Sequence, residues 1–328
     1  MSSPATVPGR ELAARWVPRV RWRWVAIGIF VLSNVLNFLD RQLLAALAPA
    51  IKSEFHLSNA QYGTLVSAFS LVYAIVTPFA GLFVDRVGLN AGALAAVGVW
   101  SAGSFGGLMI CRGGLGLGEA AGLPFLSKAN ATYLPPSEWG LASAAGSLAV
   151  TGGSIAAPLL AAAIAPAFGW RATFVIAGAM GVVWMGVWGT ASKRGLKPTL
   201  QAEACSTGDN LKLVLLDRRM WKVILAYPLV MAILMLWLNW TTIFLTSQHH
   251  LSQTEANRYF AWIPPVFAAA GGFFNGWLAF RCIRRGMHGL KARTRICTWC
   301  AALFPLTAAI PFLASAGLAI AGVWWWVA

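Results

Sequence analysis

Long apolar runs joined by short polar connections set the pattern of this chain. Taking about 20 apolar residues as one membrane span, the runs predict helices near 24–48, 62–84, 91–103, 105–126, 142–165, 171–192, 223–246, 259–280, 296–313 and 316–328. After the first run, residues 52–61 are polar. There Ser58 followed by Gln61 has the form of a capping box, which starts the second helix on the outer face. That helix ends inside at residues 81–88, where a glycine closes a tight charged turn. The run from Ala91 to the Ser101–Phe105 break is a dozen or so residues, about 18 Å of helix against about 30 Å of hydrocarbon. Either the helices at 91–103 and 105–126 share the length unevenly or residues are missing relative to an intact parent, and a deletion is the preferred reading.

Composition sharpens the class: 58% of residues are hydrophobic and 11% charged, with 17 Trp and a mean hydropathy of +0.67. The fold class is therefore all-α, a polytopic membrane protein. A net charge of +15 could suggest a nucleic-acid partner, but the basic residues lie in the connections and form no patch with polar neighbours. They cluster before the first helix (Arg10, Arg15, Arg19, Arg21, Arg23), after the sixth (193–222) and after the eighth (281–295). Opposite connections carry only Lys52, Arg171 and Arg258. The positive-inside rule then places the N-terminus and both basic loops in the cytoplasm. The expected organisation is a cytoplasmic tail over 1–23, a six-helix bundle over 24–192, a cytoplasmic linker over 193–222 and a partial second bundle of about four helices over 223–328. No cleavable signal peptide is expected, since the first run is long enough to span and lacks an A-x-A-like end.

Five scattered cysteines show no disulfide framework, and Cys297-Thr298-Trp299-Cys300 opens an apolar helix without further metal-type residues. No metal or cofactor is expected. The sequons at Asn130 and Asn239 fall on the cytoplasmic side and inside a helix, so neither is expected to be modified. His249 and His250 sit in an outer loop and read as solvated.

Candidate chemistry lies in charged residues inside the spans. Asn37-Phe38-Leu39-Asp40-Arg41 interrupts an apolar run, where a lone ionised side chain costs at least about 2.5 kcal/mol on insertion scales. Such residues pair, face a wet interior and work. A purely structural Asp40–Arg41 pair is the plainer alternative. In the fourth helix Arg112 and Glu119 are seven residues apart, close to two turns, so both project from one face among glycines that admit a close neighbour. That spacing also suits interhelical bracing. Tyr73 falls at mid-depth, suited to cavity or packing, and Asn239 and Trp237 of the seventh helix could face a cavity from the other half. The segment 276–286 echoes 81–88, with a glycine, an arginine five residues later and a closing glycine. A repeated half is the trace of a transporter built from two related bundles.

The G-x-x-x-D-R-x-G loop carrying Gly81, Asp85, Arg86 and Gly88 resembles the signature of the major facilitator superfamily. Residues 37–41, 55–58, 111–120 and 134–138 together resemble its anion:cation symporter branch, which takes up hexuronates, aldonates and other organic anions with protons. The resemblance implies a two-bundle architecture, here with an incomplete second bundle, in a multi-pass and commonly monomeric inner-membrane protein. It implies that Arg41 binds the substrate anion, with Tyr73 lining the cavity; Asn37 and Asn239 are the further expected substrate contacts. Asp40 and Glu119 would exchange protons, supported by Arg112, and the 81–88 loop would gate the cytoplasmic side. Physical reasoning agrees, since a guanidinium stays charged when desolvated and offers a fork to a carboxylate. A carboxylate buried beside it is balanced between desolvation and that cation, so an arriving anion changes its protonation. Phe38 stands where the branch often has an aromatic hydroxyl, Asn90 where a basic residue follows the loop, and Phe280 where the second copy has an acid. The competing readings are a non-transporting remnant of such a transporter and a polytopic membrane enzyme. Against the latter, the sequence has no intramembrane Ser/His pair and no H-E-x-x-H, so no enzyme is expected.

Overall fold

A computed structural model describes residues 20–77, 103–120, 122–193 and 216–303. Among the described residues every regular element is helical: α1 (Val20–Ala46), α2 (Ala48–Glu54), α3 (Asn59–Val76), α4 (Phe105–Glu119), α5 (Gly122–Tyr133), α6 (Trp139–Lys193), α7 (Arg218–Gln248), α8 (Ile263–Arg284) and α9 (Gly289–Leu303). Three stretches of these residues, Arg23–Ala46, Trp139–Ala191 and Gln253–Arg284, are long and apolar enough to cross a membrane. Large apolar side chains such as Leu71, Ile110, Val183, Phe273 and Trp277 lie on the outside, as expected of helices whose solvent is lipid.

Boundaries differ from the hydropathy pattern where backbone chemistry intervenes. The expected 24–48 helix stops at Ala46 and restarts at Ala48, with Pro49 in the first turn of the new helix; the missing proline N–H and the ring's clash with a preceding carbonyl break the ladder there. The expected 105–126 helix ends at Glu119, and a separate α5 follows. The helices expected at 142–165 and 171–192 are the two arms of α6, separated as expected by a non-helical break at Gly169, whose φ of 79° only glycine adopts without strain. Because α7 begins at Arg218, the last residues of the expected 193–222 linker belong to a helix instead. The Ser58–Gln61 capping box is present as predicted. The 81–88 loop, residues 91–102 of the third expected helix and residues beyond 303 lie outside the described residues.

The central element is α1. On one side Trp184 of α6 donates its indole N–H to the Ile29 carbonyl at 2.8 Å, and Trp188 packs on Phe30. On another side the first arm of α6 touches the α1 backbone, because Gly153 has no side chain: a Cβ there would sit 2.9 Å from both the Leu39 nitrogen and the Phe38 Cβ. Gly116 does the same between α4 and α3, with the Phe69 carbonyl 2.8 Å from where a Cβ would be. The expectation that glycines admit close neighbours holds at these positions, whereas Gly152 faces open space. A core of Leu43, Leu47, Ile51, Tyr62, Leu65 and Leu108 fills the end of the bundle at which α1 stops.

At that end Glu54 ties α2 to the bend in α6, accepting from Trp170 Nε1 at 2.6 Å and Arg171 Nη1 at 2.5 Å. The Arg171 guanidinium also lies over the Trp170 ring, 4.3 Å from its centroid. These donors, Trp170 first, hold the exposed Glu54 carboxyl below its usual range. A carboxylate depressed in this way stabilises the fold above its unfolded value, and that contribution is lost as pH falls through the lower folded value.

Two outcomes follow for stability. Gly153→Ala is expected to cost about 1–3 kcal/mol, the range for overpacking a tight contact, read as a lowered unfolding midpoint in detergent, while Gly152→Ala leaves the midpoint unchanged. Glu54→Gln is expected to lower the midpoint at neutral pH, with the difference from the parent closing as pH drops below about 4; a difference that persists unchanged at low pH would rule out the carboxylate as its source.

Candidate functional site

On α4 the buried positions Arg112, Leu115, Gly116 and Glu119 recur at helical spacing, so both charged residues face inward as the seven-residue interval predicts. They do not pair with each other. Glu119 reaches across to α1, where its Oε2 accepts from Arg41 Nε at 2.6 Å. The plainer alternative, a structural pair of Asp40 with Arg41, is not made; adjacent helical residues diverge, and Arg41 turns to α4.

Aromatic rings enclose the Arg41 guanidinium, with its carbon 4.8 Å from the Phe38 centroid, 4.9 Å from Phe69 and 4.3 Å from Tyr73. Phe69 is shared, since the Arg112 guanidinium lies 4.9 Å from the same ring. Phe69 and Tyr73 stack one helical turn apart on α3. Cation–π contacts of this kind fix a guanidinium where water is scarce. They place the Tyr73 ring beside Arg41 and give the Phe38 ring a contact that its missing hydroxyl does not affect.

Several buried polar atoms here have no hydrogen-bond partner: Asp40 Oδ1, Arg112 Nε and Nη1, Glu119 Oε1 and the Tyr73 hydroxyl. Arg112 is 3% exposed and Glu119 2%. Orphaned groups at such depth are rare in structures and cluster at functional sites. The arrangement is thus a buried group of two basic and two acidic side chains in which one salt bridge is made, Arg41–Glu119, and the atoms named above have no hydrogen-bond partner.

Other predicted residues lie at varying distances from this group. Asn37 packs against Gly122 of α5, close to Asn34. Asn239 donates its amide to the Met235 carbonyl of its own helix at 2.8 Å, and its backbone carbonyl accepts from the Tyr62 hydroxyl at 3.1 Å. Trp237 does line a cavity between the two parts of the chain, together with Gln42, Ala46, Ser154, Thr241 and Thr242. His249 is not solvated as expected: it is half-buried with its ring edge-on to Phe244, whereas His250 is exposed. Gly81, Asp85, Arg86 and Gly88 lie outside the described residues. No cluster of metal-type ligands occurs among the described residues.

Sequence reasoning missed Gln253 and Asn257, which join the C-terminal helices to α2 and α1, and Thr242, which bonds to Asn257. A signal was available. His250-Leu251-Ser252 repeats His56-Leu57-Ser58, each histidine has a positive φ, and each serine heads a capping box.

The Major Facilitator Superfamily family model matches residues 30–328. A galacturonate transporter of Dickeya chrysanthemi is 29% identical over 282 residues, covering 78% of this chain and 81% of the relative. A hexuronate transporter of Escherichia coli K12 is 28% identical over 280 residues, covering 78% of this chain and 65% of the relative, so the chain spans less than two thirds of that protein. Among solved structures, a bacterial homologue of the human lysosomal transporter Spinster, inward-facing and unoccupied, superposes with a TM-score of 0.75 at 23% identity, covering 94% of this chain and 74% of that one. A D-xylose-proton symporter gives a TM-score of 0.65 at 15% identity, covering 93% and 79% respectively. These two likenesses show the fold.

Proposed function

The chain belongs to the Major Facilitator Superfamily, and on that premise we propose that it carries a small organic anion, a sugar acid or related carboxylate, across the membrane together with protons by alternating access. The family and the named relatives are transporters, not enzymes, and the protein is a multi-pass membrane protein. The basic clusters support a cytoplasmic N-terminus in the inner membrane, with bundles over 24–192 and 223–328 joined through the 193–222 region and the whole acting as a monomer.

The observation that carries this reading is the Arg41–Glu119 contact under three aromatic rings, beside the unpartnered Asp40 and Arg112. A carboxylate substrate is the natural competitor of Glu119 for Arg41, because a guanidinium accepts either in the same fork geometry. Ionised, the four side chains cancel in charge, so an added monoanion leaves the buried group one charge negative. One proton restores neutrality, and a carboxylate released from Arg41 is the atom group on which to hold it. Symport follows from electroneutrality at a buried site. The sugar-acid substrate class rests on the relatives' names and on hydroxyl-bearing or amide side chains, Gln42, Ser154 and Thr241, around the neighbouring cavity.

Uptake of labelled hexuronates, aldonates and dicarboxylates into proteoliposomes with an imposed pH gradient tests the proposal. The parent is expected to accumulate a sugar acid only with an inward proton gradient. Arg41→Lys, which keeps charge but loses the fork, is expected to reduce uptake at least about tenfold, the scale of one charge-assisted hydrogen bond. Glu119→Gln is expected to keep exchange of internal for external substrate while losing gradient-driven accumulation. Accumulation indifferent to the gradient, or unchanged in Arg41→Lys, would sink the reading.

A further inference from the structure

The interruption between α1 and α2 leaves the helical rung from Ala50 to Ala46 unmade, and both of its ends are taken by the distant part of the chain. In a continuous helix the Ala50 N–H would donate to the Ala46 carbonyl. Here α1 ends at Ala46 and α2 begins at Ala48, with Pro49 in its first turn. The Ala50 N–H donates instead to Gln253 Oε1 at 2.9 Å, and the Ala46 carbonyl accepts from Asn257 Nδ2 at 2.7 Å. Gln253 and Asn257 are four residues apart, on one helical face. Asn257 is fully buried, and its Oδ1 accepts from Thr242 Oγ1 at 3.0 Å, which fixes the direction of its amide.

A second contact mirrors this one. The Tyr62 hydroxyl donates to the Asn239 carbonyl, with Trp240 edge-on to the Tyr62 ring at 5.2 Å. Tyr62 and Asn257 each lie just after a capping serine of the His-Leu-Ser repeat. Each half thus sends one side chain from the start of its second helix to a backbone carbonyl near the end of the other half's first long helix.

We propose that Gln253 and Asn257 are gating residues: they latch this end of the molecule shut by holding the Ala46–Ala50 rung open, and the rung closes within the chain when the latch releases. The physical reason is that a buried carbonyl and N–H cannot be left unpaired. Latched, the amides satisfy them; released, they satisfy each other, while the amides meet the water that the opening admits. Backbone hydrogen bonds are conserved in both states, so two arrangements of similar free energy exist, as a gate requires. Pro49 is part of the device, because it removes the neighbouring rung to Ala45 and keeps the break from healing by itself.

The purpose of the gate rests on the transport reading, but the latch is measured without substrate. Nitroxides at exposed Ser53→Cys and Ser247→Cys, in the full chain with its native cysteines replaced and held in nanodiscs, report the separation of the halves by pulsed electron resonance. The parent is expected to give mainly the short distance. Gln253→Leu and Asn257→Leu are each expected to raise the ratio of long to short populations about fivefold to tenfold, the effect of one hydrogen bond lost. Pro49→Ala, which touches neither amide, is expected to move the distribution the same way by favouring a continuous helix. If Asn257→Leu fails to fold, Gln253→Leu and Pro49→Ala decide, and unchanged distributions in both overturn the latch. A shifted distribution in a protein that transports nothing overturns the proposed function and leaves the latch standing.

Discussion

The contact between Arg41 and Glu119 is the constraint around which the bundle is built. Two charges at this depth are tolerable only when matched and sheltered, and the match requires α1 and α4 to stand at a fixed separation. Glycine supplies it: Gly116 lets α4 meet the α3 backbone, and Gly153 lets α6 meet the α1 backbone. The rings of Phe69 and Tyr73, carried on α3, then arrive over the guanidinium. The apolar core at the end of α1 is as much a holder for these charges as a source of stability.

Glu119 has one oxygen bonded to Arg41 and the other without a partner, while Arg112 has unpartnered nitrogens close by, its guanidinium against the same Phe69 ring. Full pairing among the four charged residues would give a more stable and less responsive group. Phe69 opposes that collapse, since both guanidiniums use the same ring and Arg112 is kept from the contact that Arg41 makes. On the proposed function, this incomplete satisfaction would let a competing anion enter at modest cost.

Much of this was legible in residue order, and the exceptions have physical causes. Hydropathy located most helices, and the seven-residue interval put Arg112 and Glu119 on one buried face of α4. Gly169 and its bend fall in the gap between the predicted fifth and sixth helices. The partner of Arg41 was not legible, because Asp40 is its nearest acid in sequence while the acid it meets is 78 residues away. Interruptions at Leu47 and after Glu119 escaped the hydropathy pattern because apolarity continues across them; only proline at position 49 announced the first. Asn239 looked like a cavity residue by type, yet an amide in an apolar helix is also satisfied by the carbonyl one turn back, which is where its side chain goes.

α1 links the charged group to the gate. From Arg41 to Ala46 is five residues, about 7.5 Å of rigid helix. The cavity between them takes Gln42 and Ala46 from α1 and Thr242 from α7 as part of its wall. Ala46 and Thr242 both bond to Asn257, and Gln42 is the neighbour of Arg41. On the transport reading, an anion held by Arg41 would sit next to Gln42 and this narrow cleft, and so would act on the two groups that orient the Asn257 amide. Binding energy at one end of a short helix becomes a bias on the hydrogen bonds at the other, with no longer pathway needed. Coupling of this kind requires that the occupant contact the two gate states differently, which a wall shared by both halves of the molecule provides.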